Sequence, residues 1–171
     1  MTGFAWLAGG EGTTFSKPAA RDERSPLLPK DGQLCAGGTI AGLRCVNEGL
    51  PQMRCNWERN WGVAIGFNVK ADGKAWGEEA AAEIAVDFRG RWSRYRLSAH
   101  RAGDPSRQTY CIDDYRSGQS AQPRAFKTEC WADRGESLPD FKGVDSFHLV
   151  LASGTDLTAF RYCISGVRIV P

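Results

Sequence analysis

Six cysteines are spread through this chain, and none of them forms a CxxC pair: Cys35, Cys45, Cys55, Cys111, Cys130 and Cys163. Zinc sites built from cysteines use closely spaced ligand pairs, so this spacing argues against a structural zinc site. The even number is typical of three disulfides, which persist in oxidising compartments. Spacing alone does not assign their connectivity. The alternative is that several cysteines stay free and buried as small apolar side chains.

Short segments in which apolar and polar residues alternate occupy much of the chain after residue 60. The side chains predicted to face a core are Trp61, Val63, Ile65, Phe67, Val69, Ile84, Val86, Phe88, Tyr95, Leu97, Ala99, Phe147, Leu149, Leu151, Phe160, Tyr162 and Ile164. Residues 78–82 are helix-like in composition but too short and uncapped to form a helix. Short strands separated by turns predict an all-β fold, either a β-sandwich or a barrel.

The length and net charge of the chain limit the classes of protein to which it can belong. Its 171 residues are enough for one domain with its own core. We expect a single β-sandwich over residues 1–171, with residues 1–34 forming a partly irregular N-terminal strand and loop. The formal net charge of +2 argues against nucleic acid as a partner, because such binding depends on many phosphate contacts. No apolar stretch is long enough to span a membrane, so we expect no membrane partner.

The first residues, Met1–Trp6, have neither the basic region nor the continuous apolar region of a signal peptide. The cysteine pattern nevertheless favours a secreted, extracellular protein whose signal peptide is not in this chain. The alternative is a cytosolic protein with free thiols.

Seven short motifs follow one another along the chain. They are Gly3-Phe-Ala-Trp, Gln33-Leu-Cys-Ala-Gly-Gly-Thr-Ile, Ala64-Ile-Gly-Phe-Asn-Val, Tyr95-Arg-Leu, Tyr110-Cys-Ile, Phe126-Lys-Thr-Glu-Cys-Trp and Phe160-Arg-Tyr-Cys-Ile-Ser-Gly-Val. In the order and spacing of these motifs, the chain resembles a family of secreted bacterial jelly-roll domains, common in myxobacteria and similar to carbohydrate-binding modules. The resemblance covers nearly the whole chain. It implies a jelly-roll β-sandwich of two antiparallel sheets.

The resemblance also implies a disulfide pattern, because four of the six cysteines occupy recurrent positions and Cys45 and Cys55 look like an addition. A jelly roll brings its first and last strands together, which suits one of the pairs. The pairs we expect are Cys35–Cys163, Cys111–Cys130 and Cys45–Cys55, the last of them closing the loop before Trp61.

Sugar binding is the chemistry that the aromatic residues suit best. Pyranose rings stack their C–H faces on tryptophan, while polar and charged side chains bind the hydroxyls. The predicted ligand-binding residues are Trp57, Trp76, Asp87, Trp92, Arg94 and Arg96. Trp57 lies in a polar loop, and Trp92 shares a strand face with the two arginines. Core packing is an equal alternative for Trp57 and Trp92. We expect Trp61 to be core and Trp131 to pack on the Cys111–Cys130 bridge.

A basic run consists of Arg89, Arg91, Arg94, Arg96 and Arg101. It fits an anionic partner such as a uronic-acid or sulfated glycan. It also fits a solvated strand face whose charge is balanced by Glu83, Asp87 and Asp104. The near-neutral total charge favours the solvated face.

Catalysis has weaker support. A glycoside hydrolase needs two carboxylates about 5–10 Å apart, whereas Glu83 and Asp87 are roughly 13 Å apart along one strand face. His100 and His148 lie in no nucleophile motif. The adjacent acids Asp113 and Asp114 allow a structural calcium ion but are typical of loop surface, and we expect no other cofactor.

These observations predict a non-catalytic, lectin-like carbohydrate-binding module whose partner is a polysaccharide or other glycan. One alternative is a structural or adhesive extracellular protein that binds a protein partner or self-associates. A long uncovered strand such as Tyr162–Val170 would favour it. The second alternative is a polysaccharide-active enzyme.

Overall fold

A computed structural model describes residues 4–16, 25–26, 31–46, 54–78, 80–104 and 109–171. These residues form an all-β protein of two main antiparallel sheets, which confirms the predicted fold class. Two single-turn 3₁₀ helices, Pro123–Ala125 and Cys130–Ala132, are the helical elements of the described chain. Part of the expected irregular N-terminal segment 1–34, namely residues 1–3, 17–24 and 27–30, lies outside the described residues.

Fifteen strands are present in the described residues, seven of them five residues or longer. They are β1 (Ala5–Gly9), β2 (Thr14–Phe15), β3 (Ser25–Pro26), β4 (Leu34–Ile40), β5 (Cys45–Val46), β6 (Arg54–Cys55), β7 (Gly62–Asn68), β8 (Glu83–Gly90), β9 (Tyr95–Arg101), β10 (Tyr110–Ile112), β11 (Ser120–Ala121), β12 (Lys127–Glu129), β13 (Arg134–Ser137), β14 (Val144–Ala152) and β15 (Thr158–Val170).

The larger sheet has eight strands in the order β13-β12-β10-β9-β14-β7-β1-β3. The smaller sheet has five strands in the order β11-β8-β15-β4-β2, and β5 and β6 form a separate hairpin. From β1 to β9 the long strands alternate between the two sheets, and β14 and β15 again lie in different sheets, so the connections between these strands cross from one sheet to the other. These connections lie at the ends of the sandwich.

The core lies between the inner faces of the two sheets. The alternating residues predicted to face inward do so on β8, β9 and β14, where Ile84, Leu97 and Phe147 are fully or almost fully buried. Tyr162 of the smaller sheet donates a hydrogen bond from its hydroxyl to the carbonyl oxygen of Leu149 in the larger sheet, at 3.2 Å. Complete burial raises the pKa of this tyrosine well above its ordinary value.

The outer face of the larger sheet is partly covered by its own aromatic side chains. Trp6 of β1 and His148 of β14 both lie opposite Gly66 of β7, one on each side. A Cβ atom at position 66 would lie only 2.3 Å from the Trp6 ring. Because glycine has no Cβ atom, the Trp6 ring can lie across Gly66. The Trp6 ring then meets the His148 ring edge-on, with centroids 5.4 Å apart.

Three disulfides join all six cysteines, in the pairs expected from the resemblance. Cys35–Cys163 links directly opposed residues of β4 and β15, and Cys45–Cys55 links opposed residues of the β5–β6 hairpin. Cys111–Cys130 joins β10 to the second 3₁₀ helix. Three such bonds indicate an oxidising, extracellular-type environment.

The final strand, β15, lies inside the smaller sheet. It pairs with β4 along Thr158–Ile164 and with β8 along Tyr162–Val170. Residues 162–164 are therefore covered on both sides, so they do not offer the uncovered strand that would favour a structural or adhesive protein. None of the described helices has the length and apolarity to cross a membrane.

Candidate functional site

A cavity of about 1070 Å³ lies at one end of the sandwich. Four chain segments meet there: the β6–β7 loop, the β8–β9 connection with the start of β9, the second 3₁₀ helix, and the β14–β15 connection. Its aromatic wall consists of Trp57, Trp61, Trp92 and Trp131. Arg91, Arg94 and Arg96 also line it, and small side chains form the rest of the wall. Four of the protein's six tryptophans therefore face one cavity.

The β6–β7 loop is held rigidly in place. Cys45–Cys55 closes the hairpin that precedes it. The Asn56 side chain accepts a hydrogen bond from the Arg44 amide (2.9 Å) and donates one to the side-chain oxygen of Asn60 (2.7 Å). The buried Asn60 in turn donates to the carbonyl oxygen of Glu11 (2.9 Å). This network fixes the backbone on both sides of Trp57, whose side chain remains 53% exposed.

Trp61 ends this loop and leads into β7. Its carbonyl oxygen accepts a hydrogen bond from the Ser153 amide at 3.3 Å, which ties the loop to the β14–β15 connection. The next residue, Gly62, has a φ of +125°, and an added Cβ would lie 2.0 Å from the carbonyl oxygen of Leu151. Only glycine fits this close approach between strands. The backbone of β7 and β14 thus places Trp61 at the rim of the core.

The carboxylate of Asp113 orients two arginines, Arg94 immediately before β9 and Arg96 within it. Asp113 accepts hydrogen bonds from Arg94 Nη1 at 3.2 Å and from Arg96 Nε at 3.3 Å, and its side chain is only 11% exposed. Arg96 also lies over the ring of Trp131, with its guanidinium carbon 5.5 Å from the ring centroid. This is a cation–π contact. The Cys111–Cys130 disulfide holds the neighbouring backbone, so Trp131 is positioned from both sides.

The remaining lining combines one half-buried aromatic ring with small polar groups. Trp92 packs against the core with one part of its ring and lines the cavity with another. The hydroxyl of Ser153 lies buried in the cavity wall, with no hydrogen-bond partner among the described residues. Aromatic faces beside oriented polar groups are the usual composition of a site for a polar organic ligand.

The structure brings together four of the six predicted ligand-binding residues: Trp57, Trp92, Arg94 and Arg96. The prediction for Trp76 is wrong. Its ring is 7% exposed and packs on Phe141 and Phe147 in the core, at centroid distances of 5.8 and 5.9 Å. Trp76 follows a turn in the sequence, but its backbone pairs with Val144 and Gly143, which draws the ring inward.

Asp87 does not reach the cavity. It lies on β8 in the smaller sheet, where its carboxylate pairs with Arg168 Nε at 3.4 Å. The expected balancing of the basic run by Glu83 and Asp87 is therefore wrong for Arg94 and Arg96, whose partner is Asp113. Asp113 lies in the turn that follows β10, and its sequence spacing gives no sign that it meets Arg94 and Arg96.

Trp61 and Trp131 are the two tryptophans of the cavity that were not predicted to bind a ligand, and Arg91 and Ser153 also line it without having been predicted as ligand-binding residues. Trp61 is predicted to be core, yet it precedes β7 and is half-buried at the cavity. Trp131 is predicted to pack on its disulfide, yet it is 58% exposed. The polar residues around Trp131, including Asp133 and Arg134, are the available signal, since a tryptophan in polar sequence tends to keep an exposed face.

The carboxylates considered for catalysis have structural partners. Hydrogen bonds donated by Ser120 and by Gln122 (2.9 Å) lower the pKa of Glu83 below its ordinary value. Asp87 is paired with Arg168, as described above. Among the described residues, no group of three or more histidine, cysteine or acidic side chains is arranged to hold a metal ion.

In comparisons with known proteins, no protein-family model matches the chain, and no curated protein aligns with it significantly.

Proposed function

We propose that this protein is a secreted, lectin-like carbohydrate-binding module that binds a polysaccharide in the four-tryptophan cavity without chemically changing it. The observation that supports this proposal is the convergence of Trp57, Trp61, Trp92 and Trp131 with three arginines on one cavity. Tryptophan faces stack on the C–H faces of sugar rings, and the guanidinium groups and Ser153 provide hydrogen-bond donors for the ring oxygens and hydroxyls.

Preorganisation supports binding as the role of this site. The backbone that carries Trp57 is held by a disulfide and an asparagine network, and the Trp131 ring is held by the neighbouring disulfide and by Arg96. Because the loop of Trp57 and the ring of Trp131 are already in place, a ligand has less to order when it binds. The described lining consists of aromatic, cationic and small side chains. That composition fits recognition better than acid–base hydrolysis, which depends on a pair of carboxylates.

The strand order supports a jelly roll as the type of sandwich. The neighbouring pairs β4–β15, β7–β14, β8–β11 and β9–β10 nest inside one another along the chain. Folding such a nested ribbon of hairpins into two sheets puts alternate pairs in opposite sheets, and here β4, β15, β8 and β11 share one sheet while the other four strands share the second. A jelly roll, which consists of two Greek keys, would have nested pairs of this kind. Together with the disulfides, this nesting agrees with the resemblance to secreted bacterial jelly-roll domains.

The proposal is tested by binding of the oxidised protein to a panel of neutral and acidic polysaccharides, with calcium and with EDTA. We expect at least one saturable interaction that is independent of calcium. Trp57→Ala and Trp131→Ala should each weaken it by about tenfold. Phe4→Ala is the matched control, because Phe4 is also exposed (69%) but immediately precedes β1, away from the cavity.

The melting temperature of each variant separates loss of binding from loss of folding. Unchanged melting with lost binding supports the proposal. Unchanged affinity in the Trp57→Ala, Trp131→Ala double variant would contradict it. No binding anywhere on the panel would favour the alternative of a structural protein that binds a protein partner.

A further inference from the structure

Five arginines give the surroundings of the proposed sugar site a net positive charge. A second cavity of about 600 Å³ adjoins the first and shares Arg91 and Ala159 with it. This second cavity adds Arg89 and Arg161 to its lining. An elongated ligand leaving the tryptophan cavity on this side would therefore pass a further set of guanidinium groups.

The local charge differs from that of the whole chain. The two cavities are lined by five arginines, and the one carboxylate paired with any of them among the described residues is Asp113, which leaves a formal +4. The complete chain carries only +2, so all remaining residues together carry −2. The near-neutral total therefore conceals a cationic patch on an otherwise slightly acidic protein.

Three of these arginines have no carboxylate partner in the described part of the chain. Arg89 donates a hydrogen bond to the neutral side chain of Gln33 at 2.6 Å. Arg91 and Arg161 are exposed, and no ion pair joins either of them to a described residue. Two of the three acids expected to balance them are engaged elsewhere, Glu83 by Ser120 and Asp87 by Arg168, and no ion pair joins the third, Asp104, to either arginine. Their charge is thus available to a ligand.

We propose that the ligand is an acidic polysaccharide, whose carboxylate or sulfate groups are bound by Arg91 and Arg161 while its sugar rings stack on the tryptophans. This inference rests on the proposed function and specifies its ligand class. Guanidinium groups match carboxylate and sulfate oxygens with two parallel hydrogen bonds. Single-stranded nucleic acid also combines stacking with charge, but three disulfides point to the oxidising compartments in which acidic glycans occur.

The first experiment compares two forms of one polymer. Polygalacturonate and its highly methyl-esterified form share a backbone, but esterification removes the negative charge. Affinity electrophoresis and calorimetry at several salt concentrations would measure binding to both forms. Heparin would test binding of a sulfated polysaccharide, and single-stranded DNA would test the alternative that the ligand is a nucleic acid. We expect at least one acidic polymer to bind about tenfold more tightly than the neutral form, with an affinity that falls as salt rises.

The second experiment removes the unpaired charges. Arg91→Gln with Arg161→Gln should reduce the affinity for the acidic polymer by about three- to tenfold and leave binding of the neutral form unchanged. The control is Arg116→Gln with Arg124→Gln, which removes the same charge from two exposed arginines that line neither cavity. Because Arg91 and Arg161 have no ion pair to lose among the described residues, we expect both double variants to melt like the wild type.

The outcomes distinguish the two proposals. Equal binding of the acidic and esterified polymers would overturn the acidic-ligand inference and leave sugar binding standing. Tighter binding of single-stranded DNA than of any polysaccharide would overturn both. A loss of affinity that is the same in the control double variant would also overturn the inference, since the effect would then come from total charge rather than from this patch.

Discussion

Two aromatic regions of this molecule use the same residue type in opposite ways. The aromatic core cluster of Trp76, Phe126, Phe141 and Phe147 is buried, and its rings contact one another at centroid distances of 5.5 to 5.9 Å. The four-tryptophan cavity has arginines, small residues and open space beside its rings. The neighbours of a tryptophan therefore decide what it contributes. Rings enclosed by rings add stability, whereas rings flanked by cations and space remain available to a ligand.

The largest effect that would test this difference is expected at Trp76. Trp76→Ala removes an enclosed ring and leaves a cavity, so we expect the free energy of unfolding to fall by about 3–5 kcal/mol. Trp57→Ala, in the same urea titration, should change it by less than about 0.5 kcal/mol because that ring is half exposed. Equal losses of stability in the two variants would break the comparison.

A smaller effect is expected at Asp113, which anchors the arginines of the cavity. Asp113→Asn keeps the shape but removes the charge that accepts hydrogen bonds from Arg94 and Arg96, so we expect stability to fall by about 1–2 kcal/mol. Asp114→Asn is the matched control, since Asp114 is exposed and its φ of +55° suits asparagine. Chemical denaturation of both variants would measure the difference, and an equal loss in the control would show that the ion pairs of Asp113 contribute nothing.

The smallest effect concerns a third aromatic group, on the outer face of the larger sheet. His100 lies against His148, with ring centroids 4.1 Å apart. Burial lowers the pKa of His100 below 6.5, and the nearby Asp145 opposes the shift only in part. The folded protein therefore prefers neutral His100, and this contribution to stability is complete above pH 6.5 and lost as the pH falls from 6.5 toward the folded-state pKa.

Thermal melting between about pH 7.5 and 5.5 measures this contribution, because that range spans the ordinary pKa of histidine. We expect the wild-type melting temperature to decrease over this range and the decrease to be smaller in His100→Gln. An identical slope in the two proteins would show that His100 does not titrate against folding.

Much of the fold was predictable because strand periodicity is a local property. Alternation along residues 83–89 and 95–99 assigned Ile84 and Leu97 to the core, and both are buried. The same rule placed Arg94 and Arg96 on one face, where both line the cavity. Periodicity failed at Trp61, because the alternation continues one residue beyond the start of β7, into the loop at the cavity.

By itself, the sequence determined the all-β class and the core stripes, because each follows from the residue types within a few positions, whereas it left exposure and core packing as equal alternatives for Trp57. Through the resemblance, it also indicated the three disulfide pairs. Only the tertiary structure decided that Trp131 and Asp113 join the β9 region, that Trp76 turns inward, and that Arg91 and Arg161 lack a carboxylate partner among the described residues. Those outcomes depend on which loops meet at one end of the sandwich. Strand order fixes that meeting, and it arises from pairings between residues as far apart as Cys35 and Cys163.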